Sequence, residues 1–174
     1  MRSETDKAKV LDFISALGNR VKGAGKIYLT GGATALLFGW REMTVDIDLK
    51  AEPEPAGFFE AIAELKEELD VNLELASPDQ FIPELPGWRE RSAFIARAGL
   101  LDFYHYDFFA QALSKLERGH ARDLADVGAM MARGLISSPR LLELFESIRP
   151  GLIRYPAIDI PGFAESVYEF CQPK

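Results

Sequence analysis

Residues 28–50 read YLTGGATALLFGWREMTVDIDLK, in the order strand, glycine turn, short helix, loop, strand. The second strand carries Asp46 and Asp48, two positions apart. Successive strand side chains point to opposite faces, so these two carboxylates share one face, roughly 7 Å apart along the strand. Val45, Ile47 and Leu49 fall on the other. Two ionised carboxylates side by side repel, and packing gives no reason to place them so. A divalent cation does: Mg²⁺ takes hard oxygen ligands and is commonly held by one or two carboxylates plus substrate phosphates. The plainer alternative is a sheet edge with both aspartates in water, since acidic residues are mostly exposed. The paired glycines weigh against it. Gly31 and Gly32 follow the apolar run Ile27–Leu29, and a helix opens directly after them. Glycines permit positive φ and close backbone approach, and free N–H groups at the start of a helix suit phosphate. A phosphate turn and a metal-binding strand belong to one chemistry.

The stretch GGATALLFGWREMTVDIDL resembles the signature of the DNA polymerase β-like nucleotidyltransferase superfamily, a glycine-glycine or glycine-serine turn followed by a D-x-D strand. With Arg41 and Thr44 just ahead of the aspartates, it is most similar to the small bacterial branch that contains the AbiEii-type toxins. Further along, ALSKLERGHARDLADV (residues 112–127) resembles that branch's later motif, a Lys on one helix and an Arg-Asp…Asp pair opening the next. The resemblance covers roughly residues 27–131. It implies Mg²⁺ (or Mn²⁺) on Asp46 and Asp48, with a nucleoside triphosphate as substrate. Gly31, Gly32, Thr34, Arg41, Thr44 and Lys115 are then expected around the nucleotide. In the resembling toxins a Lys and an Asp of the later motif are needed for activity; here they are Lys115 and Asp126, with Asp123 competing for the second place. Such enzymes usually carry a third carboxylate on a neighbouring strand. Asp102 and Glu74 are the candidates, and Asp102 is favoured because its strand leads into the Lys115 helix, which puts it among the metal ligands. Where the family often has a Ser, this chain has Gly32, leaving backbone N–H groups, Thr30 or Thr34 to serve the phosphate.

The reaction so implied moves a nucleoside monophosphate to an acceptor hydroxyl on tRNA, another RNA end or a protein. A toxin–antitoxin or defence role, with a cognate antitoxin, goes with it. The rival is a catalytically degenerate module of the same fold that binds nucleotide or a protein partner. A plain Mg²⁺-dependent hydrolase has little support in the residues.

Bulk properties narrow the field. The net charge of −7 disfavours broad electrostatic binding to DNA or RNA, because nucleic-acid coats are basic. No apolar run approaches a membrane span, and the charged opening MRSETDKAK is no signal peptide. A single cysteine, Cys171, excludes an internal disulfide framework and fits a reducing cytoplasm. Two histidines and one cysteine leave no closed zinc site.

The remaining pattern is α+β. Ser3–Val21 has the periodicity of an amphipathic helix, ended by Gly18 and KGAGK. Phe58–Leu69 is a second helix, and Val71–Ser77 alternates as a strand. The loop PDQFIPELPGW carries Trp88, as a core plug or as a stacking wall for a base. Ser92–Arg97 and Leu100–Tyr106 suit a hairpin turning at Ala98-Gly99, with Asp102, Tyr104 and Tyr106 on one face. From Asp107, a good N-cap, the chain is helical: FFAQALSKLERG, RDLADVGAMMARG, PRLLELFESI and Gly162–Cys171. His105 and His120 read as structural or exposed. Had the upstream motif been absent, KLERGHARDLADV would read as a solvent-facing hairpin with an Arg122–Asp126 pair. The expectation is a small mixed sheet holding the strand–turn–helix–strand unit (residues 1–106), followed by a helical extension (107–174) packed on it as a single compact unit.

Overall fold

The computed structural model describes residues 2–173. The chain divides into two compact units: residues up to Ser77 together with Ser92–Tyr106, and Pro78–Arg91 together with Asp107 onward.

The first unit is α+β. Its elements are α1 (Lys7–Arg20), β1 (Gly25–Thr30), α2 (Gly32–Phe38), β2 (Asp46–Ala51), α3 (Phe58–Glu68), β3 (Asn72–Glu74), β4 (Ala93–Ala98) and β5 (Leu101–His105). The five strands form one mixed sheet in the order β3-β2-β1-β5-β4. β1 runs antiparallel to β2 and parallel to β5, β2 is parallel to β3, and β4 closes the far edge as an antiparallel hairpin with β5. Alternation assigns the two faces. Ile27, Leu29, Ile47, Leu49, Leu73, Leu101 and Phe103 are buried on one of them, in a single core with Val10, Phe13 and Leu17 of α1, Leu36 of α2, and Phe58, Ile62 and Leu65 of α3. Each such side chain contributes about 1.5–3 kcal/mol by leaving water. The other face carries Lys26, Tyr28 and Thr30, Asp46 and Asp48, Asn72 and Glu74, Asp102 and Tyr104.

Three boundaries differ from the sequence pattern. α1 begins at Lys7 because the Asp6 carboxylate caps it, accepting from the Lys9 N–H at 2.9 Å. It also runs through Gly18. A Cβ there would lie 2.5 Å from Ala98 Cβ, so Gly18 serves the close approach of α1 to the β4–β5 turn rather than a helix stop. β3 is shorter than its alternation suggested, and Leu75 beyond it is exposed. Val45 precedes β2 and is also exposed, so the apolar face of that strand begins at Ile47.

The second unit is helical among the described residues: α4 (Trp88–Arg91), α5 (Phe108–Arg118), α6 (Ala121–Ala132), α7 (Ser138–Ile148) and α8 (Ile160–Cys171), with short 3₁₀ turns at Pro78–Gln80 and Arg149–Arg154. α5 packs against α6, α7 and α8. Asp107 does cap α5, accepting from the Phe109 N–H at 3.2 Å, and the same side chain takes a hydrogen bond from Arg91 Nη2 at 2.7 Å. Trp88 is a core plug: it is buried, and its indole N–H donates to Glu84 at 2.8 Å.

Candidate functional site

Thr30 ends β1, and the chain reverses through Gly31 at φ 62° and ψ −128°. That region is open to glycine and strained for other residues. A Cβ on Gly31 would sit 2.9 Å from Asp48 Oδ2. The second glycine is needed for space: a Cβ on Gly32 would overlap the Thr44 hydroxyl and stand 2.6 Å from Thr44 Cβ. The turn therefore lies directly on the second strand. α2 then stops at Gly39, which is left-handed at φ 90° and returns its N–H to the carbonyls of Ala35 and Leu36. Arg41, in the loop that follows, is half-buried.

Strand pairing fixes the carboxylates. Asp48 is opposite Thr30 on β1 and Glu74 on β3, and Asp46 is opposite Asn72. Asn72 Nδ2 donates to Asp46 Oδ1 at 2.9 Å, which orients the first carboxylate, while the second rests against the glycine turn. Both are half-buried. Two carboxylates on one strand face, one oriented by an amide, form a hard-oxygen donor set of the kind Mg²⁺ or Mn²⁺ accepts.

The expected third carboxylate is not with them. Asp102 pairs with Lys26, four residues along β1 from Thr30 and so about 13 Å down the strand from the register of Asp48. Its carboxylate faces Arg97 at 3.7 Å. The offset of β5 on β1 decides this, and Asp102 leaves the metal-ligand set. The other candidate, Glu74, holds the position beside Asp48 and is exposed. No group of three His, Cys, Asp or Glu side chains converges among the described residues.

Thr34 also departs from expectation. It is fully buried, its hydroxyl 3.0 Å from His105 Nδ1 and 3.5 Å from the Leu29 carbonyl, so it faces the core rather than a phosphate. Of the two readings of His105, structural or exposed, the first holds: alternation with Leu101 and Phe103 places it on the apolar face of β5, where it is buried. Burial pushes its pKa down to about 4, so the imidazole is neutral at pH 7.

The later motif forms its own constellation in the helical unit. Lys115 Nζ is 2.8 Å from Asp126 Oδ2 and 3.6 Å from Asp123 Oδ1. Arg118 grips Asp123 through two bonds of 3.0 and 2.6 Å. Lys115, Asp123 and Asp126 are all buried, so this is no solvent-facing hairpin, and Asp126 turns toward Lys115. Burial alone would raise the Asp123 carboxyl. The hydrogen bond and charge of Arg118, with the charge of Lys115 behind them, win and hold it below the usual carboxylate range. The motif's two acids are thereby separated: Asp123 is bound by Arg118, and Asp126 is the nearer partner of Lys115. His120 is exposed at the start of α6.

No helix among the described residues is long and apolar enough to cross a membrane. Compared with protein-family models, curated proteins and solved structures, the chain finds no match.

Proposed function

We propose that this protein is a Mg²⁺-dependent nucleotidyltransferase in which an acceptor hydroxyl attacks the α-phosphorus of a nucleoside triphosphate, taking the nucleoside monophosphate and releasing pyrophosphate. The observation that carries the reading is the contact of Asp48 with the glycine turn: a carboxylate oxygen lies 2.9 Å from where a side chain at Gly31 would begin. A bare backbone turn beside a pair of hard-oxygen ligands is an arrangement suited to metal-assisted phosphoryl transfer.

In this reading Asp46 and Asp48 hold the cation, which when bound neutralises charge on the triphosphate and lowers the pKa of the attacking hydroxyl. Asn72 fixes the orientation of the Asp46 carboxylate. The bare backbone of Gly31 and Gly32 lets the outer phosphates approach. No side chain is assigned as general base; catalysis rests on positioning and electrostatics. The acceptor is an RNA end, tRNA included, or a protein hydroxyl, and a defence role with a cognate antitoxin follows from the resemblance. The resemblance also gives Lys115 and Asp126 a role in activity; within the helical unit the two form a buried ion pair with each other.

A second reading has two observations in its favour. Asp102 stands away from the pair, and Thr34 spends its hydroxyl on His105. Both suit a module that binds nucleotide or a protein partner without turning over. Calorimetric titration with each of the four Mg²⁺–nucleoside triphosphates, on the wild type and on Asp46→Asn/Asp48→Asn, tests the nucleotide site, and release of pyrophosphate from the triphosphate that binds separates the cases. Metal-dependent binding lost in the double variant supports the transferase and selects the labelled nucleotide for an acceptor search. Absence of binding by the folded wild type removes it.

A further inference from the structure

Thr44 is the residue that makes Gly32 obligatory. Its side chain fills the space in which any side chain at position 32 would start. The same hydroxyl donates to the backbone carbonyl of Asp46 at 3.2 Å. One side chain thus touches both the glycine turn and the first metal-binding residue. Yet Thr44 stands ahead of β2, which begins at Asp46, so none of the sheet's ladders fixes it.

Thr5 fixes it instead. The two residues form an isolated antiparallel bridge, with Thr5 N–H donating to the Thr44 carbonyl at 2.7 Å and Thr44 N–H to the Thr5 carbonyl at 2.9 Å. The segment before Thr5 is itself anchored. Arg2 pairs with Glu67 and donates to the Val71 carbonyl at 3.3 Å, while Ser3 donates to Asp70 at 2.7 Å. Paired residues of an antiparallel bridge send their side chains to the same side, so the Thr5 hydroxyl shares Thr44's side. It is buried and has no hydrogen-bond partner among the described residues. Its hold on Thr44 therefore runs through the backbone.

We infer that Thr44 is a positioning residue that sets the Gly31–Gly32 turn against Asp46, and that the Thr5 bridge holds it there, which makes the N-terminal segment a working part of the site. The effect on ligand rests on the proposed function; the mechanical link does not. Four variants test it. Thr44→Val keeps the shape and removes the hydroxyl; Thr44→Ser keeps the hydroxyl. Thr5→Pro removes the bridging N–H; Thr5→Val keeps the backbone bridge. Two measurements are made on each: amide hydrogen exchange over residues 31–34 and 45–48, and the Kd for the tightest of the four Mg²⁺–nucleoside triphosphates.

Thr44→Val and Thr5→Pro are expected to speed exchange in those segments roughly tenfold or more and to weaken binding by a similar factor, about 1.4 kcal/mol per decade. Thr44→Ser and Thr5→Val stay within about twofold, and exchange in α1 and α3 is unmoved. Wild-type exchange at residues 31–34 in both Thr44→Val and Thr5→Pro overturns the inference, and so does loosening spread evenly through α1 and α3. Should Thr44→Val fail to fold, Thr5→Pro against Thr5→Val decides. A wild type that binds none of the four triphosphates refutes the proposed function, and the exchange arm alone then judges the bridge.

Discussion

The Oδ2 atom of Asp48 lies 2.9 Å from the point at which a side chain on Gly31 would start. Gly31→Ala therefore meets two obstacles, a strained backbone at φ 62° and a carboxylate in its way. The strain costs on the order of 1–3 kcal/mol. The methyl must also push Asp48 off the turn. We expect a lower melting temperature and loss of Mn²⁺ binding, read by paramagnetic relaxation of water. Full binding in a stable Gly31→Ala protein would show that the contact is incidental.

Strand register sets Asp102 apart from Asp46 and Asp48. Asp46→Asn and Asp48→Asn are each expected to weaken Mg²⁺–triphosphate binding by at least about tenfold, roughly 1.4 kcal/mol. Asp102→Asn, on the Lys26 register and facing Arg97, is expected to change it by less than about twofold. Calorimetry on the three single variants checks this, and a large effect at Asp102 would return it to the ligand set.

His105 gives stability a pH dependence whose sign is fixed. Its pKa is about 4 in the folded chain against 6.5 ordinarily. Above pH 6.5 neither state is protonated there and the residue is silent. Between pH 6.5 and 4 the unfolded chain takes up a proton that the folded chain refuses, so stability falls with pH, then levels off. The full loss is roughly 3 kcal/mol, at 1.36 kcal/mol per pKa unit. Urea unfolding at pH 7 and pH 5 should show it in the wild type, and His105→Asn should flatten that part of the slope.

Lys115 neutralises a buried carboxylate, so removing it strands a charge. Lys115→Met is expected to cost about 3–5 kcal/mol. Adding Asp126→Leu should recover most of that loss, because an apolar pair often replaces a buried ion pair without penalty. Denaturant melts of the single and double variants decide. A double variant as unstable as the single would mean that Asp126 has bonds of its own that matter more.

What was readable in the sequence follows the range of the forces involved. Asp46, Asp48, Gly31 and Gly32 lie within one short stretch, where period-two alternation and glycine's conformational freedom fix the geometry locally. The mixed sheet and the helical run after Asp107 were legible for the same reason. Asp102 was misplaced because its position depends on the offset of β5 along β1, and no local pattern encodes that offset. Thr34 was assigned to phosphate because its partner, His105, lies far along the chain on another strand. Glycine at 18 looked like a helix stop because its neighbour, the turn at Ala98, is equally remote. Nor could spacing divide Asp123 from Asp126; the grip of Arg118 does.

The strand order has a consequence for how the molecule is made. β1, α2 and β2 are contiguous, so the glycine turn and both carboxylates can meet as soon as residue 51 is free to fold. The opposite edge of β1 must wait for Leu101–His105, beyond the whole excursion of residues 78–91 into the other unit. Long-range pairing of this kind is the slow step in forming a sheet. During synthesis the central strand is thus expected to stand with one bare edge, its glycine turn and carboxylates assembled and its scaffold incomplete. A ribosome-bound chain halted before β5 has emerged should be cut readily by protease within β1–β2, and one halted after β5 should resist. Equal resistance at both lengths would mean that the first strands hold without their parallel neighbour.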